Sequence, residues 1–149
     1  MKIKNFLKTV IILFLFVNTN LNAETVFFDS KNIKIEDNGK MIFATKGVAT
    51  IPTKNLEIAG DKFIYDRINS ELLIFDNVEY LDKENDIIIK SQKMIYDEIQ
   101  DQVFSQSKTF IEVESKYDVE SANILFDRIL KIISSNDLTE VNDKAENKF

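Results

Sequence analysis

A nine-residue pattern that recurs along this chain constrains its fold more than any other sequence feature. Its slots are apolar, any, small, any, any, apolar, any, aromatic and acidic, as in residues 58–66. The positions equivalent to Tyr65 are Ile35, Tyr96 and Phe126, at spacings of 30 or 31 residues. Four copies at one period indicate an array in which each unit buries its apolar face against its neighbours.

The residues between the repeated slots favour β-strands over helices. The chain has only three Gly and one Pro, and its apolar set is rich in Ile and Phe, which suit a pleated surface. Asn38-Gly39 is a strong hairpin signal, and Pro52 must end a strand because it cannot donate to a sheet ladder. We therefore predict an all-β domain of repeated hairpins.

Four hairpin units follow from this pattern. The predicted units are residues 24–51, 56–80, 87–113 and 119–141. A helix over residues 122–133 is the competing interpretation, because apolar residues there fit either period. We favour a strand since the segment aligns with the other copies.

The slot spacing predicts an irregularity within each outgoing strand. Ile58, Gly60, Phe63 and Tyr65 are two, three and two positions apart, so strict alternation slips after the small residue. A β-bulge produces such a slip and increases the local twist. We expect a bulge at Gly60 and a bend in the sheet there.

Residues 1–23 have the pattern of a secretory signal peptide. Lys2, Lys4 and Lys8 precede an apolar run over residues 10–17, and Ala23 supplies a small residue at the cleavage position. The run is shorter than the about 20 residues that cross a bilayer. We expect a mature chain from residue 24; an uncleaved anchor is the alternative.

Composition excludes several classes of function. The chain has no Cys and no His, so disulfides and thiol chemistry are excluded, and the commonest general base and metal ligand are missing. The net charge is −6, and it becomes −9 without the three lysines of the leader. Such an acidic surface disfavours nucleic acid and gives no bulk attraction to an anionic membrane.

The acidic slot of the repeat is the strongest candidate for catalysis or metal binding. Asp66, Asp97 and Asp127 fill it in three copies. Each lies at the start of a predicted turn, where an Asp side chain accepts backbone hydrogen bonds. Because the carboxylates are spread along the array, we interpret them as structural, with no catalytic residue and no metal or other cofactor expected.

The apolar slots form a row that recurs in every unit. One interpretation is an ordinary filled core. The other is a continuous apolar trough along an open, curved sheet, able to shelter a lipid chain, since burial of one methylene is worth about 0.8 kcal/mol. The sequence alone leaves both interpretations open.

The repeat resembles the OstA family of lipopolysaccharide-transport domains, which includes LptA and the periplasmic N-terminal part of LptD. The resemblance lies in residues 58–66, in the following Leu72-Leu73-Ile74-Phe75, and in Gly47-Val48 and Asn77-Val78, which are similar to the step that ends the family's return strand. It extends from about residue 28 to 141. Whether the chain is a stand-alone LptA-like protein or part of a longer LptD stays open.

The resemblance implies a twisted, open β-jellyroll of two facing antiparallel sheets over residues 24–141, with a polar tail over residues 142–149. It implies a non-enzymatic periplasmic protein that cradles lipopolysaccharide acyl chains. Association of this protein with the outer membrane is compatible with the resemblance. Its edge strands would stack on related β-jellyroll proteins or on further copies. The implied lipid-lining residues are Ile58, Phe63, Tyr65, Leu72, Ile74, Val78, Ile89, Met94, Tyr96, Val103, Ile124 and Phe126.

Two other classes of protein remain as alternatives. A structural or adaptor repeat protein would have the same apolar row as a filled core without a lipid ligand. An enzyme is the weakest option, since it would need clustered carboxylates and the sequence offers only distributed ones.

Overall fold

The computed structural model describes residues 25–145, which contain strands joined by short turns and no α-helix. Two 3-10 turns occur, at Asp37–Gly39 and Pro52–Lys54. The predicted leader over residues 1–23 lies outside the described residues. The strands are β1 (Phe27–Glu36), β2 (Met41–Ile51), β3 (Leu56–Asp66), β4 (Glu71–Asp82), β5 (Ile87–Asp97), β6 (Gln102–Ser105), β7 (Thr109–Val113), β8 (Tyr117–Ser121), β9 (Ile124–Asp127), β10 (Ile132–Ser134) and β11 (Glu140–Asp143).

All strand pairs are antiparallel, and the sheet divides at β5. Strands β1 to β5 lie side by side in chain order. The C-terminal half of β5 pairs with β6, which is followed by β9 and β10. The N-terminal half of β5 pairs with β7, which is followed by β8 and β11. The sheet does not close on itself, so the predicted all-β, open architecture is confirmed.

Local turn signals have the predicted effect. Glu36 pairs with Met41 across the first turn, where Asn38 and Gly39 have positive φ values of 54° and 86°. Asn and Gly tolerate this left-handed conformation best, which explains the strength of the signal. Strand β2 ends at Ile51, directly before Pro52. The strand interpretation of residues 122–133 is also correct, because they form β9 and part of β10.

The later units differ from the predicted continuous hairpins. The return strand expected over residues 103–113 is interrupted between β6 and β7, and the fourth return consists of two short strands, β10 and β11. Strand β11 continues to Asp143, two residues into the segment predicted as a tail. These interruptions occur because each half of the divided sheet continues separately beyond β5.

The register shift predicted near Gly60 is present. It lies between the pairs Ala59–Glu79 and Lys62–Phe75, so the extra residue belongs to β4 and not to the outgoing strand. Asp76 and Asn77 occupy this point of β4 with φ values of 60° and 53°. The side-chain alternation slips at the same level in the neighbouring strands, and the sheet bends along this line.

The bend folds the sheet into two facing layers. We name the layer with β6, β9 and β10 layer I and that with β7, β8 and β11 layer II; β1 to β5 contribute one half to each. A straight 11-residue strand would separate its ends by about 36 Å. Nevertheless Arg128, at the end of β9 in layer I, bonds to Asp82, at the end of β4 in layer II, at 2.7 Å. The ends therefore meet because the strands bend double.

The core lies between the layers and follows the strand register. Residues that pair across neighbouring strands face the same side, so they form continuous interior rows. In layer I the main row is Ile35, Ile42, Tyr65, Leu72, Tyr96, Val103, Phe126 and Ile133. In layer II it is Phe28, Ala49, Ile58, Tyr80, Ile89, Ile111, Val119 and Val141.

Candidate functional site

All twelve residues implied as lipid-lining lie in the interior between the two layers. The most exposed of them, Tyr65, is 6% exposed, and the others, apart from Val78 at 2%, are 0 or 1% exposed. The structure therefore brings the predicted set together on the facing surfaces of the jellyroll. In the described conformation these side chains pack on one another, and the middle of the interior is filled.

Aromatic rings make the contacts between the layers. The ring of Phe28 lies 5.9 Å from that of Phe63 in an edge-to-face arrangement and 6.1 Å from that of Tyr65. Tyr80 and Tyr96 face each other at 6.5 Å. Such pairs add about 0.5–1.5 kcal/mol beyond their buried area. The two layers are thus held by separable side-chain contacts and not by a backbone ladder.

The small slot of the repeat lies at the bend, where little space is available. A Cβ atom on Gly60 would lie 2.5 Å from Cγ2 of Ile74. In later copies the slot holds Ser91, whose hydroxyl is 2.7 Å from that of Ser105 and 2.6 Å from that of Ser107. These bonds connect β5 with the last residue of β6 and with the segment between β6 and β7. The small residue therefore permits the bend. Where it is Ser, its hydrogen bonds also stabilise the interruption between β6 and β7.

A charged cluster closes the side of the jellyroll opposite the bend. Arg128 donates to Asp82 at 2.7 Å and to Asp101 at 2.9 Å. Lys54 lies 3.0 Å from the Asp101 carboxylate and 2.9 Å from the Tyr96 hydroxyl. Because Lys54 and Asp82 belong to layer II turns and Arg128 and Asp101 to layer I turns, this clasp joins the layers.

The ionisation of the clasp follows from its hydrogen bonds. Burial raises the pKa of the Asp82 carboxyl, but bonds from Arg128 and Asn85 outweigh burial and hold its pKa below the usual value. Burial also raises the pKa of the Asp101 carboxyl, but hydrogen bonds from Tyr96, Lys54 and Arg128 outweigh it, so that this pKa too is below its usual value. Burial disfavours charge on Arg128, yet its carboxylate partners raise its pKa. Asp82, Asp101 and Arg128 are therefore charged at neutral pH.

The clasp could not be predicted from the sequence. Arg128 is 46 residues from Asp82 and 27 from Asp101, so no local spacing connects them. The only signal is that each charged residue lies in or beside a turn that the repeat predicts. Pairing of those turns requires the bend, whose direction the sequence does not specify.

The interior is open at the ends of the array. On β1 the inward-facing Ile33 and Ile35 are 49% and 62% exposed. At the other end Val141, which continues the layer II row on β11, is 62% exposed. Strand β1 pairs only with β2, and β10 and β11 each pair with one strand. Both ends thus present unpaired backbone beside uncovered apolar side chains.

The acidic slot has the structural role predicted for it. Asp66 accepts bonds from the backbone N–H groups of Ile68 and Asn69, and Asp97 and Asp127 accept equivalent bonds in their turns. Within residues 25–145 no group of acidic residues has the arrangement of a metal site. None of the helices searched there is long and apolar enough to cross a membrane.

Comparisons of sequence give no match: no protein-family model and no curated protein matches this chain. Comparison of the structure with solved structures does give a match. The chain is similar to LptH, the LptA-homologous periplasmic component of the lipopolysaccharide transport device of Pseudomonas aeruginosa, with a TM-score of 0.68 and 12% sequence identity. The similarity covers 81% of this chain and 96% of that one. The chain therefore has the twisted, open β-jellyroll fold of LptA-like proteins, as the family resemblance implied.

Proposed function

We propose that this chain is a non-enzymatic periplasmic module that binds lipopolysaccharide and passes it towards the outer membrane. The observation that carries the proposal is the similarity to LptH, a periplasmic component of a lipopolysaccharide transport device, along nearly the whole of that chain. An apolar interior that is open at both ends of the array supports it. Acyl chains would lie between layers I and II.

Lipid would reach the interior when the layers separate. The twelve buried apolar residues would then exchange their mutual contacts for contacts with acyl chains, so little apolar surface would meet water. Half a dozen methylenes buried in this way contribute about 5 kcal/mol. That is sufficient for a complex that must also release its lipid.

The ends of the array would serve as docking surfaces. An unpaired edge strand can add a strand from a neighbouring subunit through main-chain hydrogen bonds. Here β1 offers Ile33 and Ile35, and β11 offers Val141, at the mouths of the interior. Stacking of related jellyrolls, or of copies of this chain, would cover these side chains and make the apolar rows continuous between subunits.

The second candidate is a structural or adaptor protein with a permanently filled core. The observation that favours it is the packing of the interior, where Phe63 and Tyr96 are 1% and 0% exposed. The two candidates differ in whether lipid can replace the contacts between the layers.

Photocrosslinking in cells distinguishes the two candidates. A photoreactive residue at Phe63 or Tyr96 should form an adduct with lipopolysaccharide if the interior carries lipid. The matched controls are Leu81 and Ile88, half-buried residues that face outward from layer II, and they should form none. Adducts from neither interior position would exclude the lipid carrier and favour the filled core.

A further inference from the structure

An apolar stripe crosses the outer face of layer I and is not used by the proposed lipid site. Its members pair in sequence across six strands and point away from the interior. They are Phe43, Ile64, Leu73, Ile95, Phe104 and Leu125. Each is half-buried. Two of its members, Phe43 and Ile64, line an open cavity of about 480 Å³ together with the neighbouring Phe75.

The outer face of layer II has a different composition. The row on β3 to β8 there reads Glu57, Leu81, Ile88, Glu112 and Asp118, and the adjacent row contains Glu79, Lys90 and Glu120. Layer I therefore carries a continuous apolar row on its outer face, whereas the outer rows of layer II mix apolar and charged residues. An antiparallel sheet commonly has polar residues on the face that meets water, so a continuous apolar row on that face indicates a surface that a partner covers.

Charged residues border the stripe on its two long sides, with opposite sign. Along the turn side the outward positions include the carboxylates of Glu36, Asp66, Glu71, Asp97 and Asp127. Along the bend side they include the ammonium groups of Lys93 and of Lys62, which in one copy lies 3.2 Å from the exposed carboxylate of Asp76. The stripe thus separates an acidic edge from a basic edge.

We propose that a second copy of this chain covers the stripe, with the two stripes face to face about a two-fold axis that runs along them. This arrangement places each strand over its own copy and the acidic edge of one copy over the basic edge of the other. Asp97 then lies opposite Lys93 of the second copy, and Asp66 opposite Lys62. The alternative axis, across the stripe, would place carboxylates over carboxylates and is unfavourable.

The size of the surface predicts a weak dimer. Six strands at about 4.8 Å and three rows at about 6.7 Å give a contact of about 29 Å by 20 Å, or roughly 600 Å² on each copy. Stable interfaces bury about 800 Å² on each partner. Two sheets that pack face to face normally align their strands within about 30°, and the proposed axis places each strand over its own copy.

Charge disfavours a lipid surface as the occupant. The acidic edge contains five carboxylates along one side of the stripe, and an anionic headgroup layer would be repelled by them. A second copy supplies lysines at that edge instead. The proposal concerns the outer face and is independent of lipid binding between the layers.

Sedimentation velocity of the processed chain over a range of concentrations tests the proposal. The measurements use an Ile35→Lys background, which blocks pairing at the β1 end and with it head-to-tail stacking of copies. Leu73→Lys with Ile95→Lys should weaken the dimer about tenfold or more, since both positions become buried charges. Leu81→Lys with Ile88→Lys is the matched control: the same residue types, on the same two strands, facing outward from layer II.

A charge swap tests the axis. Lys93→Glu and Asp97→Lys should each weaken the dimer, and the two together should restore it, because the swapped pair is again complementary across the axis. If either substitution acted only by disturbing the fold of the monomer, the two effects would add, and the double variant would not recover the dimer.

Three results would overturn the proposal. They are a monomer at all concentrations, equal effects of the stripe and control variants, and a double swap no tighter than the single changes. Binding of phosphatidylethanolamine–phosphatidylglycerol vesicles through Leu73 and Ile95 without dimerisation would assign the stripe to a lipid surface instead. None of these outcomes bears on crosslinking from Phe63, so the two proposals fail separately.

Discussion

The Arg128 guanidinium lies 2.7 Å from the Asp82 carboxylate, although the two residues end strands in different layers of the jellyroll. Both side chains are almost completely buried, at 3% and 0% exposed. The bend folds each strand back on itself, and this ion pair then joins the strand ends that the bend brings together. Its energetics decide how readily the layers can separate.

Arg128→Met should destabilise the fold strongly. It removes the guanidinium that partners two carboxylates, and the Asp82 carboxylate then stays buried without its cation. Loss of one partner of a buried pair typically costs about 3–5 kcal/mol. The free energy of unfolding, measured with urea, gives the result.

Lys62→Met is the control for this change. It removes an exposed ion pair with Asp76, and such pairs contribute about 0–1 kcal/mol. Equal losses in the two variants would show that the clasp does not hold the layers.

Acid should weaken the fold through the clasp. The folded-state pKa values of Asp82 and Asp101 are lowered, so the folded protein binds fewer protons than the unfolded chain. The resulting stability is fully present above the usual Asp pKa of about 3.9 and is lost as pH falls through the lower folded values. Unfolding free energies measured from pH 6 to pH 2 should decline mainly below about pH 4.

The Asp82→Asn and Asp101→Asn variants isolate this contribution. Each should be less stable than the parent at pH 6, and the difference should shrink as the pH falls, because protonation removes the carboxylate charge of the parent as well. A difference that stays constant over this range would mean that the carboxylate charge is not responsible.

Most of what could be predicted about the fold came from the nine-residue repeat. Its aromatic slot at Tyr65, Tyr96 and Phe126 falls in one interior row, because a period of two strands and two turns returns each copy to the same level of the sheet. The spacing around Gly60 also located the bend. Both are local properties, expressed in the order of residues along one hairpin.

The division at β5 and the clasp depend on contacts between distant residues. Ile95 and Ile88 belong to one strand, yet they pair with Phe104 in β6 and Glu112 in β7. Nothing in the slots distinguishes this from a continuous hairpin. Likewise the sequence identified Leu72 and Ile74 as interior residues, but only the register shows that the outward Leu73 belongs to a row that crosses six strands.

Gly60→Ala should destabilise the bend. Its Cβ would meet Cγ2 of Ile74 at 2.5 Å, which is too close for two carbon atoms without a shift of the sheet. Overpacking of this kind costs about 1–3 kcal/mol. Urea unfolding of Gly60→Ala, Ile74→Ala and the double variant forms a complete cycle. If the clash is the cause, Gly60→Ala should have a much smaller effect in the Ile74→Ala background; an unchanged effect would point to the backbone instead.

Ile35→Lys should block pairing at the β1 end while the fold remains intact. The side chain is 62% exposed, so a lysine there changes the unfolding free energy by no more than about 0.5 kcal/mol. A charge on an edge strand prevents addition of another strand. Ile68→Lys is the matched control, since Ile68 is 64% exposed but lies in the turn after β3. Light scattering over a range of concentrations should show loss of end-to-end assembly for Ile35→Lys alone. Because a face-to-face dimer through layer I does not need β1, only assemblies larger than a dimer that persist in this variant would mean that the uncovered rows at β1 do not form the docking surface.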